Sequence, residues 1–163
     1  MDFNEWNDMR RGIHCPFDAP RSTSSDGSEV VRALSVSTLY LAGNQTYRGH
    51  CVLMLDLRHA TRPDELSREE WLQFCADLHT AESALIRALH PDHINIATLG
   101  NVVPHLHWHI VPRYRNDPRW GAPIWLTEMA EMPDIRLAPQ ERSALMQSLR
   151  SALASMGEPR PAK

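Results

Sequence analysis

The chain has 163 residues, enough for one domain with a real core and no need of covalent staples. Its formal charge is −3 and no basic stripe runs along it, so broad nucleic-acid binding is not expected. The three cysteines (Cys15, Cys51, Cys75) are odd in number and sparse, which argues against a disulfide framework and for a reducing compartment.

Residues 1–20, "MDFNEWNDMRRGIHCPFDAP", hold no apolar stretch of signal-peptide length. No segment approaches the roughly 18–20 apolar residues of a membrane span. The expectation is a cytoplasmic protein that touches no membrane. The stretch "APRSTSSDGSE" (19–29) is small, polar and turn-rich, and reads as a loop. "VVRALSVSTLYL" (30–41) is β-branched or apolar with partial alternation, and predicts one or two strands. "CVLMLDL" (51–57) is nearly continuous in apolar residues, as a central strand would be.

A helix is predicted from a capping box, with Ser67 as N-cap and Glu70 three residues on. Trp71, Phe74, Cys75, Leu78, Leu85 and Leu89 recur at three- and four-residue steps and give it one apolar face. Pro91 stops it. "INIATLG" (94–100) and "HLHWHIVP" (105–112) predict two more strands, with Pro112 ending the second. "RNDPRWGAPIW" (115–125) is a Pro/Gly-broken, Trp-rich excursion. A last helix is expected from about Pro139 to Met156, with Leu145 and Leu149 inward and Gly157 as C-cap; 157–163 read as a frayed tail. Several strands with one long inserted helix suggest an α+β fold with a mostly antiparallel sheet.

The stretch "PHLHWHIVPR" (104–113) carries three of the nine histidines at alternate positions: His105, His107 and His109. In a strand, alternate side chains share a face, so Leu106, Trp108 and Ile110 would pack inward. The imidazoles would stand in a row on the other face, roughly 6–7 Å apart. Such a row has several uses. It can ligate a metal, supply a nucleophile with acid–base partners near neutral pH, or bind an oxyanion; it can also be an inert surface strand.

"HLHWHIVPR" resembles the His-φ-His-φ-His-φ-φ signature of the histidine-triad (HIT) family of nucleotide-binding hydrolases and transferases. The preceding "GN" (100–101), the strand "CVLMLDLRH" (51–59), the capped helix and the short strand before the triad fit the same pattern. The similarity covers roughly residues 12–125, leaving 126–156 as a C-terminal segment and helix. It implies one HIT-like α+β domain with a mostly antiparallel sheet of about five strands, one long helix and a C-terminal helix. It also implies a homodimer.

By that resemblance His107 is the nucleophile toward the α-phosphorus of a nucleoside phosphate, with no metal required for catalysis. His105 and His109 hydrogen-bond the phosphate or orient His107. Asn101 stands where the family usually has Gln, in reach of phosphate. Val102 stands at a Ser/Thr position whose hydroxyl is thought to assist the leaving group. Its absence favours dinucleoside polyphosphates or nucleotide anhydrides over phosphoramidates. Asn44 lies where relatives carry a ribose ligand. His50 lies where some carry a fourth active-site His, although counting back from "LRH" places Cys51 there instead. Some bacterial members bind zinc through Cys-x-x-Cys and two histidines. The matching residues here are Cys15, Asp18, His59 and His105, a weaker S/O/N/N set for a possible structural zinc. Trp120 and Trp125 correspond to a segment that reaches the partner subunit's site in relatives. Arg113 and Arg115 are candidates to attract phosphate. The alternative functions are a nucleotide-binding sensor or scaffold with negligible catalysis, and a metalloprotein built on the histidine row.

Overall fold

The computed structural model describes residues 2–18, 26–117, 119–126 and 133–156. The loop segment 19–25, the C-cap expected at Gly157 and the tail 157–163 lie outside the described residues. Helix α1 (Phe3–Arg10) leads into strands β1 (Glu29–Ala33), β2 (Ser37–Leu41) and β3 (Cys51–Leu55). Helix α2 (Arg68–Leu89) follows, then β4 (His93–Ala97), β5 (His107–Arg113) and α3 (Pro139–Ser155). The strands form one five-stranded sheet in the order β1-β2-β3-β5-β4, and every neighbouring pair is antiparallel. This is the expected α+β class.

The two sheet faces differ because strand side chains alternate. Leu39, Leu41, Leu53, Leu55 and Ile110 point to one face and are fully buried. There they meet Phe74, Ala81, Ala84 and Leu85 of α2 and Leu145, Met146, Leu149 and Leu153 of α3 in one cluster. Each large side chain so buried contributes about 1.5–3 kcal/mol. Leu106 and Ile110 join this core and Trp108 packs against it, on Trp71 and Phe74, as the alternation predicts. The opposite face carries Tyr40, Val52 and Met54, with Phe17 and Val30 packed on them.

The capping box of α2 forms as predicted: Ser67 accepts from the Glu70 N–H while Glu70 accepts from the Ser67 N–H. The helix ends at His90 in the left-handed region (φ 47°), just before Pro91. One device on α2 carries no pattern signal. Asp77 is buried on the core side and accepts from the Ser35 and Val36 N–H groups and the Ser37 hydroxyl. It thereby fixes the turn that splits 30–41 into two strands.

Helix α1 has no counterpart in the sequence reading. Its signals are local: Asp2 accepts from the Asn4 N–H, Glu5 lies in the first turn and Arg10 in the last. The strand expected over 105–112 begins only at His107, so His105 lies outside it. Pro112 does not end the ladder, since Pro112 pairs with Ile94 and Arg113 with His93. Pairing with β3 stops at Ile110, so Pro112 sits on a stretch paired on one side, where a missing N–H is tolerated.

Candidate active site

The register places the site. His107 pairs with Met54 and His109 with Val52, so both imidazoles stand on the face opposite the helices. His50 immediately precedes β3 and joins them, whereas Cys51 is fully buried in the helix-side core. The alternation of β3 thus sets His50, and not Cys51, beside His109.

The imidazoles form a chain. His107 Nδ1–H donates to the His105 carbonyl at 2.6 Å. A carbonyl can only accept, so this bond assigns the proton to Nδ1 and leaves the lone pair on Nε2. That Nε2 lies 3.2 Å from His109 Nε2. His109 Nδ1 lies 3.1 Å from His50 Nε2. One consistent assignment satisfies every member. His50 Nε2–H donates to His109 Nδ1, and His109 Nε2–H points at the free lone pair of His107. All three rings are then neutral. Burial enforces that state: it pulls His50 down to about 4. Burial, with the neighbouring His50 and His107, pulls His109 down to about 3. His105 and His107 are lowered too, chiefly by burial.

His105 departs from the expected row. Its ring turns away from His107 and His109 while its carbonyl holds the His107 proton. The His105 Nε2–H donates to the Leu55 carbonyl at 2.8 Å. Its Nδ1 lies 3.1 Å from an Asp18 oxygen and 3.7 Å from Cys15 Sγ. His59 is arranged alike, with Nε2–H on the Arg10 carbonyl at 3.1 Å and Nδ1 3.0 Å from Asp18. The ligand atoms of Cys15, Asp18, His59 and His105 all lie within 4.8 Å of one another.

This donor set fits a tetrahedral cation. Both imidazoles give their N–H to a backbone carbonyl, so both Nδ1 lone pairs face a sulfur and a carboxylate. With the Cys15 thiol deprotonated, as a metal ligand would be, all four groups would present acceptors to one point. Zinc bond lengths of about 2.0–2.3 Å place tetrahedral ligands about 3.3–3.8 Å apart; here His105 lies 3.7 Å from Cys15 and 3.1 Å from Asp18, His59 lies 3.0 Å from Asp18, and no pair exceeds 4.8 Å. The carbonyl partners are the outer-shell contacts that orient histidine ligands.

The other expected residues fall as follows. The Asn44 carboxamide oxygen accepts from the Thr46 N–H and hydroxyl, and its N–H donates to the Pro133 carbonyl at 3.1 Å, an Asx turn. Asn101 and Val102 are exposed on the loop before Pro104. Arg113 does not face a phosphate site. Its guanidinium is buried and its donors are taken by Asp117, Asn95 and the carbonyls of Arg119 and Ala122. Arg115 pairs with Asp92 at the surface. Trp125 lies against His109 of its own chain, with ring centroids 5.2 Å apart and an interplanar angle of 85°. Trp120 is about half exposed.

Phe17 is the site residue the sequence reading missed. It packs edge-on to His107 at 5.3 Å and to His105 at 5.9 Å, between the two clusters. Its signal was its place inside "CPFD", between the two ligand candidates Cys15 and Asp18.

Among the described residues no helix is long and apolar enough to cross a membrane. No curated protein matches the chain. Solved structures do. A histidine triad protein from Bradyrhizobium japonicum is 25% identical, with a TM-score of 0.70 over 77% of this chain and 90% of that one. A zinc-bound histidine triad family protein from Mycobacterium smegmatis is 21% identical, with a TM-score of 0.57 over 91% of each chain. The Plasmodium falciparum diadenosine triphosphate hydrolase is 18% identical, with a TM-score of 0.55 over 90% and 97%. The HIT domain family model matches residues 27–116, more than half of the chain, and takes in His50, the capped helix and all three triad histidines. With the antiparallel sheet and the linked imidazoles on its open face, this match makes the chain a member of the HIT family of nucleotide hydrolases and transferases.

Proposed function

We propose that this protein cleaves nucleoside phosphates at the α-phosphorus through a nucleotidyl-His107 intermediate. The observation that carries the reading is the bond from His107 Nδ1–H to the His105 carbonyl, which leaves on a neutral ring an Nε2 lone pair met by the His109 N–H, a contact that substrate phosphate would replace. That Nε2 attacks phosphorus and the leaving phosphate departs with the bonding electrons. His109 Nε2–H, aimed at the same point, donates to a phosphoryl oxygen as charge develops there. In the second step water attacks phosphorus, gives up a proton to solvent, and His107 leaves with its electron pair restored. His50 keeps His109 in the tautomer that donates.

Val102 offers no hydroxyl to a leaving group, so substrates whose leaving group is a stable phosphate suit this site best. Dinucleoside polyphosphates are such substrates, and a structural neighbour is a diadenosine triphosphate hydrolase. Asn101 is the candidate amide donor to phosphate. Asn44 is the candidate ribose ligand, reached by giving up its Pro133 contact.

A structural zinc on Cys15, Asp18, His59 and His105 belongs to the same reading. The Mycobacterium smegmatis relative is zinc-bound, and the convergence of the Cys15, Asp18, His59 and His105 ligand atoms supports it. The ion would tie the 15–18 turn to the segments that follow β3 and precede β5; catalysis would not require it. Metal analysis showing no zinc above trace levels would remove this part.

Two further elements complete the proposal. The protein works as a homodimer: β4 is a sheet edge, Ile96 and Leu99 beside it are exposed, and so are Leu72 and Ile86, roughly four turns apart on α2. It works in the cytoplasm, where its three cysteines, none of them in a disulfide, stay reduced.

The test is steady-state hydrolysis of diadenosine polyphosphates and of a fluorogenic adenosine phosphoramidate by wild type and His107→Ala. The expected result is turnover in wild type, none in the variant, and nucleotide binding in both. Tight binding with no wild-type turnover of either substrate would replace this reading by a nucleotide sensor.

A further inference from the structure

His109 is held on three sides, the third by the segment that follows the triad strand. Its Nε2 faces His107 and its Nδ1 faces His50. The Trp125 indole closes on the ring edge-on at 5.2 Å and lies 6.5 Å from the His50 ring. Trp125 is itself anchored against Tyr47, Val111 and Ile124.

The loop bearing Trp125 is fixed from the triad strand itself. Arg113 lies on β5, four residues past His109. Its Nε and one terminal nitrogen donate to the two Asp117 oxygens at 2.7 and 2.9 Å. Its remaining donors reach the Arg119 and Ala122 carbonyls and Asn95 Oδ1, and its face lies 5.3 Å over the Tyr47 ring. A bidentate Arg–carboxylate pair this buried has one geometry. The strand that carries the triad thus also holds Asp117, Arg119 and Ala122, the last of them three residues before Trp125.

We propose that Trp125, from the same protomer, is a positioning residue. It locks the His109 imidazole in the rotamer whose Nε2–H meets the phosphoryl oxygen, and the Arg113–Asp117 pair holds Trp125 in place. The proposal rests on the reading of His107 and His109 given above. An edge-to-face contact with an imidazole needs a flat aromatic ring but not an indole N–H, so phenylalanine meets the requirement and leucine does not. The donated bond strengthens as negative charge grows on the phosphoryl oxygens, so a loosened His109 lowers kcat while ground-state binding is retained.

The experiment compares Trp125→Leu, Trp125→Phe, Asp117→Asn and the Asp117→Asn/Trp125→Leu double variant in full-length protein, using a diadenosine polyphosphate as substrate. Displacing a catalytic group by about 1 Å costs on the order of a hundredfold. Trp125→Leu is therefore expected to lower kcat between about tenfold and a hundredfold, with KM within about twofold. Trp125→Phe is expected to recover most of the loss. Asp117→Asn is expected to lower kcat in the same sense, and its effect should not add to that of Trp125→Leu, because both act through one contact.

A raised KM with unchanged kcat would make Trp125 a substrate contact and overturn the proposal. Unchanged kcat and KM with a lowered Tm would make it a packing residue only, with the same consequence. If wild type turns nothing over, the histidine 15N shifts decide the matter instead. A ring free to turn loses the His50 bond that sets its tautomer, so positioning predicts a single His109 tautomer in wild type and Trp125→Phe, and a mixture in Trp125→Leu. One unchanged tautomer in all three would overturn it.

Discussion

Acidification tests the neutral histidine chain without reference to any substrate. In the unfolded chain His50 and His109 take up protons near the ordinary imidazole value of 6.5, whereas in the fold they resist until about 4 and about 3. The folded values are depressed, so between these limits the unfolded state binds more protons and stability rises with pH. The contribution is complete above 6.5 and is lost as pH falls through the folded values. Each tenfold change in proton concentration across that window is worth about 1.4 kcal/mol per site. Lowering the pH from 7 to 4.5 should therefore cost about 3 kcal/mol for one site, and at most about twice that for both, since the two rings share a bond. Urea unfolding at pH 7, 5.5 and 4.5 measures it, with His50→Gln and His109→Gln as references. Each variant loses a titrating group, so its stability should fall less steeply than that of wild type. Parallel losses in wild type and both variants would show that these rings are not neutral and buried in the fold, and would refute the tautomer assignment.

Two substitutions probe separate parts of the account. Asp77→Ala leaves the Ser35 and Val36 N–H groups and the Ser37 hydroxyl without their acceptor, and each such loss costs about 1–3 kcal/mol. Ser35 is exposed, so water takes over at its N–H, and the two buried groups set the loss: chemical denaturation should show about 2–6 kcal/mol, against a smaller loss for Asp77→Asn; no loss would mean the β1–β2 turn holds itself. Val102→Thr should raise kcat/KM for phosphoramidates more than for anhydrides, because a hydroxyl matters most to a poor leaving group. An equal or opposite change, measured with both substrates side by side, would count against the role assigned to that position.

Much of the site was legible because its signals are periodic. Alternation placed Leu106 and Ile110 in the core and set His107 and His109 on the other face, and it needed only the strand assignment. The capping box located the start of α2 from two residues. What failed was what depends on partners distant in sequence. His105 falls in step with the other two histidines, yet its ring leaves the row because the Leu55 carbonyl, Asp18 and Cys15 claim it. Arg113 resembles a phosphate ligand until Asp117 and two carbonyls surround it. The choice between His50 and Cys51 turned on which residue of an apolar run faces the helices, and counting along the chain does not settle that. Helix α1 was overlooked because it is short and buries only Met9, so it shows little hydrophobic periodicity.

The central claim is that His107 takes the nucleotide covalently, and rapid-quench mass spectrometry addresses it most directly. Wild-type protein mixed with a diadenosine polyphosphate, quenched in base within the first turnover and digested, should yield a nucleotidylated peptide spanning residues 104–113. The adduct should sit on His107, be lost in acid and be absent from His107→Ala. Turnover by wild type with no such adduct on a timescale shorter than kcat, or hydrolysis that continues in His107→Ala, would contradict the account.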